Sequence, residues 1–240
     1  MWNCWRLCSL GALLWGQSFV QEPLTHGIAV GPLLHSYGWG ISLLVPKWHT
    51  PRRGTLWLGE LTSYRLRSEA RTRSAYRDQG GKDYVFGKLY YAYLLEIIWG
   101  YQYILMPRTA ITHAQLSLFG GIGPAFTLLK PYYIEIAIPI SANQAVIQVD
   151  TYDPTRHSYY DIVGEADFYL GFDQLRAVPG AVIQAGILLD IGKNPSLIRA
   201  LALGGRWQFF SSPIKTLHQY PGRRDWLSGF MAFYIGNGWK

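Results

Sequence analysis

The residues of this chain that are best suited to chemistry are a few serines, histidines and carboxylates, and they form no established catalytic motif. Ser117 and His113 are a nucleophile and a base that lie close together in the sequence. Residues four apart on a strand share a face but lie about 13 Å apart, at roughly 3.3 Å per residue, so these side chains cannot pair directly. We therefore expect a strand-end histidine and a serine that faces the interior, and no catalytic residue.

The densest set of potential metal ligands is Asp150, Asp153, His157 and Asp161. A loop that brings three carboxylates together could bind Ca²⁺, which prefers oxygen ligands. Their spacing matches no established calcium loop, however, and Asp-Pro commonly opens a turn. We therefore expect neither a metal ion nor another cofactor.

Five arginines form the strongest electrostatic feature of the sequence: Arg65, Arg67, Arg71, Arg73 and Arg77. A guanidinium group can bind a phosphate through two parallel hydrogen bonds. If this stretch is extracellular, we expect it to contact anionic lipid, in particular the phosphates of lipopolysaccharide. The alternative is a solvated loop whose charges only prevent association.

The segment from Lys88 to Leu105 has the clearest structural pattern. Its odd-numbered positions, from Leu89 onward, are all apolar or aromatic, whereas the even ones include Lys88, Glu96 and Gln102. A two-residue period is typical of a β-strand with one apolar face. Since no other part of the chain offers an amphipathic helix long enough to cover this face, lipid is the expected cover.

Tyr and Trp crowd both ends of this strand, as in outer-membrane barrels, where aromatic rings lie at the level of the headgroups. The membrane-interface aromatics predicted on this basis are Tyr91, Tyr93, Trp99, Tyr101, Tyr103, Tyr132 and Tyr133. A membrane-crossing strand needs only about 9–11 residues. The segment therefore either runs past the membrane, or begins with a short helix over residues 86–96 that leads into a strand near Ile97.

The N-terminal residues predict the compartment. Arg6 precedes an apolar run from Leu7 to Trp15, and small and polar residues follow, which is typical of a secretory signal cleaved near Ser18. The predicted organisation is a signal peptide over residues 1–18 and one domain over residues 19–240. Both cysteines lie within the signal, so disulfides, thiolate catalysis and cysteine metal sites are excluded for the mature chain.

Without the signal, the chain has 21 basic and 15 acidic residues. Because an exported protein does not routinely meet nucleic acid, the expected partners are outer-membrane lipids, lipopolysaccharide phosphates or anionic solutes. No later apolar run approaches the roughly 18 residues of a transmembrane helix. A membrane-bound form must then be a closed barrel, since only helices and closed barrels satisfy every backbone polar group in lipid.

Apolar alternation and turn residues predict nine strands. Two lie within Thr25–Val45, and the others are Thr55–Arg67, Lys88–Leu105, Thr112–Phe119, Ala125–Ile138, Gly180–Ile191, Leu197–Phe210 and Leu227–Asn237. Residues 67–81 are predicted to be a mobile loop, residues 120–124 a turn or sharp bend, and residues 141–178 a long irregular segment. Bacterial single-chain barrels have an even number of strands, so one assignment is wrong. The assignments most open to error are those of the first half of Lys88–Leu105 and of the irregular segment, which could contain a further strand.

The most distinctive segments after the signal are YGWGISLLV, DYVFGKLYYAY followed by WGYQYIL, GPAFTLLKPYYIEI, and DTYDPTRHSYYDIVGEADFYLGFDQLRAVPGA. In this order and spacing they resemble the uncharacterised outer-membrane β-barrel proteins common in Bacteroidota. The C-terminal aromatics Phe230, Tyr234 and Trp239 are similar to an outer-membrane assembly signal, although Lys240 departs from the usual terminal aromatic. The resemblance implies a barrel in a Gram-negative outer membrane, inserted by the assembly machinery, and it carries over no catalytic or ligand residue.

The sequence thus predicts an all-β protein, a small antiparallel transmembrane β-barrel of about 8–10 strands with one long irregular segment. The predicted role is structural or accessory, or that of a narrow channel, without catalysis. Glu60, Glu96 and Gln102 facing inward would fit a polar, packed interior. Two alternatives stay open: a barrel enzyme that acts on lipids through a Ser, His and acid at its outer rim, and a soluble periplasmic sandwich or lipocalin-like barrel whose apolar faces point inward.

Overall fold

A computed structural model describes residues 25–108, 114–141, 144–192 and 196–240. The predicted signal peptide and His113 lie outside the described residues. The strands of the described part are β1 (His26–His35), β2 (Gly38–Thr50), β3 (Arg53–Tyr64), β4 (Tyr90–Met106), β5 (Gln115–Pro131), β6 (Tyr133–Ser141), β7 (Gln144–Thr151), β8 (Ile162–Glu165), β9 (Arg176–Asp190), β10 (Leu197–Ile214) and β11 (Arg223–Trp239). Arg77–Gln79 and Phe172–Gln174 are short 3-10 helices. The described part of the chain contains no helix with the length and hydrophobicity of a transmembrane span.

Eight of these strands close into a barrel in the order β1–β2–β3–β4–β5–β9–β10–β11. Neighbouring strands are antiparallel throughout, and β1 pairs with β11 from His26↔Trp239 to His35↔Phe230, which completes the ring. A closed ring has no free strand edge, so its backbone groups can pair with one another. The prediction of an all-β antiparallel barrel is confirmed, with eight strands in the ring.

The turn or sharp bend predicted at residues 120–124 does not interrupt the strand, and its assignment as a break accounts for the odd strand count. β5 is continuous through this stretch and pairs with β9 at Gly120↔Ala185 and Gly123↔Val182. The glycines are needed because β4 approaches closely. A Cβ added to Gly121 would lie 2.8 Å from Ile98 Cγ2, and one added to Gly123 would collide with the backbone oxygen of Ile97.

One open alternative is settled and one further assignment is corrected. β4 is a single strand of 17 residues, which excludes the short helix over residues 86–96. The segment predicted to be irregular contains β7 and β8, which pair with β6 in a separate three-stranded sheet of order β7–β6–β8. This sheet belongs to a 44-residue connection between β5 and β9, residues 132–175, which we call the insertion.

The connections at the two ends of the barrel differ in length. At one end the strands are joined by residues 51–52, 107–114 and 191–196, and the start of β1 and the end of β11 lie there as well. We call this the terminal end. The opposite end, which we call the loop end, carries the short β1–β2 turn (residues 36–37), the β3–β4 loop (residues 65–89), the insertion and the β10–β11 loop (residues 215–222).

Side chains alternate between the interior and the outer surface along each barrel strand. On β4, Leu94, Glu96 and Ile98 are buried, whereas Leu95 and Ile97 are exposed. This is the two-residue period that the sequence predicts for this strand. Above and below the middle of the barrel the interior is filled by apolar side chains, among them Leu33, Leu44, Leu58, Val182 and Phe230.

Candidate functional site

The outer surface of the barrel carries a continuous apolar band to which all eight strands contribute. Its exposed side chains are Ile28, Val30, Leu34, Trp39, Ile41, Leu43, Trp57, Leu61, Leu95, Ile97, Trp99, Tyr101, Tyr103, Leu118, Ile122, Phe126, Ile183, Ile187, Leu203, Trp207, Leu227, Met231, Phe233 and Ile235. Charged side chains that point outward by alternation are confined to the strand ends, at Lys47, Arg53, Lys130, Arg199, Arg223 and Asp225. An exposed band of this extent far exceeds the apolar patches of ordinary soluble proteins.

The band argues against one of the alternatives left open by the sequence, the soluble protein. A soluble sandwich or lipocalin-like barrel requires its apolar faces to point inward. Here Trp39, Ile41 and Trp57 of β2 and β3 point outward, and the polar Glu60 and Glu96 of β3 and β4 point inward. The side-chain distribution is therefore inverted relative to a protein that folds in water.

The predicted interface aromatics divide into three groups. Trp99, Tyr101 and Tyr103 lie in the band, with Tyr101 61% exposed, and Tyr93 is half-buried next to it. Tyr132 is 0% exposed and packs with Tyr84 and Ile134, so it cannot contact lipid, and this part of the prediction is wrong.

Tyr91 contacts the insertion, and Tyr133 lies within it, at the start of β6. The Tyr91 hydroxyl donates a hydrogen bond to Glu165, and its ring packs edge-on against Phe168. The Tyr133 hydroxyl donates to Gln174 Oε1 at 3.1 Å. The sequence period places Tyr91 on the outer face of β4 but gives no sign that the insertion folds back onto it.

A charged cluster occupies the middle of the barrel interior. Arg206 Nη1 lies 2.5 Å from Glu60 Oε2 and 2.7 Å from Glu96 Oε2. The three side chains come from β10, β3 and β4, and each is at most 2% exposed. Two carboxylates thus share one guanidinium, which lies across the interior between opposite walls.

Neutral polar side chains extend this cluster. Gln208 Nε2 donates to Glu96 Oε1 at 2.8 Å, and Ser42 Oγ donates to Glu60 Oε1 at 3.2 Å. The Ser42 and Tyr234 hydroxyls are 2.8 Å apart. Such hydrogen bonds offset part of the cost of burying charge. We call these six residues, Ser42, Glu60, Glu96, Arg206, Gln208 and Tyr234, the interior cluster.

The predicted inward orientation of Glu60, Glu96 and Gln102 is confirmed. Gln102 donates to Ser117 Oγ at 2.9 Å, so Ser117 also faces the interior, as expected. Sequence reasoning missed Arg206 and its neighbour on the same face, Gln208. The alternation in LGGRWQFF could have identified them, since it places both on the face opposite Trp207.

The β3–β4 loop is anchored to the rest of the loop end, although the sequence predicts a mobile loop. Within the loop itself, Lys88 Nζ lies 2.7 Å from Glu69 Oε2, and both side chains are buried. Burial lowers the pKa of Lys88, and the Glu69 carboxylate opposes that shift. Ser74 Oγ donates to the backbone oxygen of Val163 in the insertion at 2.5 Å.

This anchored loop displays all five predicted arginines on its surface, Arg65, Arg67, Arg71, Arg73 and Arg77. Arg65 and Arg77 each lie 4.0 Å from a carboxylate, of Glu69 and Asp83 respectively. Within the described ranges, Arg67, Arg71 and Arg73 form no ion pair. The loop end therefore presents guanidinium groups that are available to an external anion.

The four residues weighed as calcium ligands have separate roles in the insertion. Asp153 accepts hydrogen bonds from the backbone and hydroxyl groups of Thr155, and Asp161 accepts one from the Ser158 backbone. His157 Nε2 lies 3.6 Å from Asp150 Oδ2. In the part of the chain that the structure describes, no three His, Cys, Asp or Glu residues are placed to hold a metal ion.

No protein-family model and no curated protein matches this chain. The solved structures similar to it include the attachment invasion locus protein Ail of Yersinia pestis in complex with the heparin analogue sucrose octasulfate, at 10% identity and a TM-score of 0.42, covering 90% of this chain and 100% of that one. Another is the N-terminal β-barrel domain of Pseudomonas aeruginosa OprF, at 7% identity and a TM-score of 0.39, covering 89% and 98%. Similarity this remote supports no functional assignment, and the barrel fold rests on the strand pairing of this chain itself.

Proposed function

We propose that this chain is an integral outer-membrane β-barrel protein without catalytic activity, a structural or accessory component with a closed interior. The observation that carries the proposal is the uncharged apolar band around a closed ring of strands that encloses buried charges. Apolar side chains facing outward and polar ones facing inward are typical of outer-membrane barrels. A closed ring also leaves no barrel backbone group unpaired in hydrocarbon.

The lengths of the connections support an orientation. Barrels of this class have short periplasmic turns and longer extracellular loops. The terminal end, with its short connections, then faces the periplasm. The β3–β4 loop and the insertion face the outside of the cell.

The interior favours a structural or accessory role over that of a channel. An eight-stranded barrel is only wide enough for its own side chains to fill it. Arg206, Glu60 and Glu96 lie across the middle of the interior, and Leu66, Val85 and Leu217 close it at the loop end.

Membrane fractionation of the full chain, produced with its own N-terminal residues, tests the proposal. We expect the processed protein in the outer-membrane fraction, resistant to a carbonate or urea wash, soluble only with detergent, and with different gel mobility before and after heating. A processed chain that is monomeric in buffer without any amphiphile would refute the proposal.

The anionic partner of the loop end is a further part of this proposal. We infer that Arg67, Arg71 and Arg73 contact lipopolysaccharide phosphates, because these exposed guanidinium groups lack an ion-pair partner among the described residues and can bind phosphate bidentately.

Two double variants of equal charge change test this contact. In detergent-purified protein, R67S/R71S should weaken lipopolysaccharide binding several-fold and reduce its salt dependence, whereas R65S/R77S, which removes arginines already paired with carboxylates, should have the smaller effect. Equal effects of the two variants would contradict the assignment to the unpaired arginines.

A further inference from the structure

A groove of about 460 Å³ lies on the outer surface of the barrel near the terminal end. It is lined mainly by apolar groups of β4 and β5, including Tyr101, Tyr103 and Leu118, and by the backbone of Gly120. Arg53 and the end of β2, with His49 and Thr50, form the part of its lining nearest the terminal end. Its volume falls within the roughly 300–1,000 Å³ that is usual for small-molecule sites.

A single missing side chain opens this groove in the band. By alternation Gly120 points outward between Leu118 and Ile122, and it pairs with Tyr101 on β4. A Cβ added to Gly120 would meet only the Gln184 backbone oxygen, at 3.6 Å, so the space above it is open. The groove is therefore a gap between the large side chains that cover the neighbouring outward positions.

Basic residues border the groove at its terminal end. Arg53 and His49 line it there, and His49 Nε2 lies 3.1 Å from the Thr55 hydroxyl. Lys47 and Arg52, which do not line the groove, are exposed on the same strand end and turn. The acidic side chain described at this end, Asp190, already pairs with Arg108 at 2.5 Å. The site therefore combines an apolar groove within the band with a cationic rim at the level where the band ends.

We propose that this groove binds an anionic glycerophospholipid, with one acyl chain over Gly120 and the phosphate at Arg53 and His49. The inference rests on the proposed function, since the groove opens on the surface assigned to lipid. An acyl chain fits the apolar walls, and only an anionic headgroup matches the rim. A zwitterionic lipid would place its own cation among these basic side chains.

Native mass spectrometry of the full chain in detergent tests the site, with phosphatidylglycerol and phosphatidylcholine of identical acyl chains added in parallel. Wild-type protein should retain phosphatidylglycerol over phosphatidylcholine by about fivefold, the preference expected from one basic side chain near the phosphate. R53Q should abolish the preference, and R199Q, which removes an outward arginine elsewhere at the terminal end, should leave it intact.

A pair of glycine substitutions tests the groove itself. G120F should fill it and remove most of the retained phosphatidylglycerol. G205F is the matched control, because Gly205 is also an outward glycine of the band, on β10, with no heavy atom within 4 Å of an added Cβ. Heat-dependent gel mobility confirms that both variants fold.

Equal retention of the two lipids by wild-type protein, or equal retention by G120F and G205F, would overturn the inference. Displacement of the lipid by free glycerol phosphate would also overturn it, since the acyl chain would then contribute nothing. If one of these results is obtained while the protein still fractionates with the membrane, the lipid site in the groove is refuted and the proposed function is not. If the processed protein is soluble without any amphiphile, the proposed function itself is refuted.

Discussion

At the scale of single residues, Arg206 is the side chain on which the stability of the barrel interior depends most. It neutralises Glu60 and Glu96, which would otherwise be two carboxylates facing each other without water. Charged groups at this depth cost several kcal/mol each in desolvation, and their attraction repays that cost only with good geometry and further hydrogen bonds. Gln208 and Ser42 supply such bonds.

Replacing Arg206 alone should therefore destabilise the protein more than replacing Arg206, Glu60 and Glu96 together. R206M leaves both carboxylates uncompensated and should lower the free energy of unfolding by about 3–5 kcal/mol, whereas R206M/E60L/E96L should recover most of that loss. Urea unfolding in lipid vesicles, followed by tryptophan fluorescence, measures both. A triple variant as unstable as R206M would show that packing, and not unpaired charge, sets the cost.

Tyr84, at the loop end, makes the stability of that end depend on pH. Burial raises the pKa of its hydroxyl from 10.0 to about 12. Between these values the unfolded chain has lost the phenolic proton and the folded chain has kept it, so the stability of the loop end falls as the pH rises through this window. Y84F should make this loss of stability with rising pH less steep.

An ultraviolet titration measures the ionisation of Tyr84 as the difference between wild type and Y84F. It should show one tyrosine ionising near pH 12, and a titration midpoint near 10.0 would contradict the burial of Tyr84.

At the scale of elements, β4 shows how far the sequence alone could go. Its two-residue period correctly places Leu95 to Leu105 on alternating faces, because alternation is a local property of an extended chain. The same pattern fails at Tyr91, where the insertion covers the outer face. That contact depends on residues more than 70 positions away, and no local pattern reports it.

The predicted number of strands was wrong for a different physical reason. A glycine cluster marks a turn when the backbone needs unusual dihedral angles, but it marks close strand contact when a Cβ would collide with a neighbour. Gly121 and Gly123 belong to the second kind. Arg206 was missed because its partners come from β3 and β4, far away in sequence, so no local pattern shows that its charge is neutralised inside the barrel.

A substitution on β4 tests whether the outer face meets lipid. Ile97 is 47% exposed. An arginine at an exposed site in water usually changes stability by no more than about 0.5 kcal/mol, whereas one at the bilayer midplane costs roughly 2–4 kcal/mol. I97R should therefore destabilise the protein by the larger amount in vesicles.

The matched control is I147R, on β7 outside the barrel, where Ile147 is 60% exposed. It should be nearly neutral in the same unfolding assay. Equal, small effects of the two substitutions would mean that Ile97 faces water.

At the scale of the whole molecule, the interior cluster and the loop end together predict electrical behaviour. Ions would have to pass Arg206 with its two carboxylates and then the closed loop end, where Lys88 pairs with Glu69. We expect folded wild-type protein to add no steady conductance to a planar lipid bilayer, compared with detergent buffer and with heat-unfolded protein. A stable ohmic current in proportion to the folded protein added would contradict the closed interior.

The seam between β1 and β11 has a consequence for biogenesis. His26 and Trp239 pair although more than 200 residues separate them, so the cylinder is completed by the contact that is most distant along the chain. Contacts of such separation form slowly. Until they form, two rows of amides lack partners, and hydrocarbon offers none. A nascent chain that lacks β11 thus has no stable resting state in the bilayer, and membrane entry must await the synthesis of its final strand.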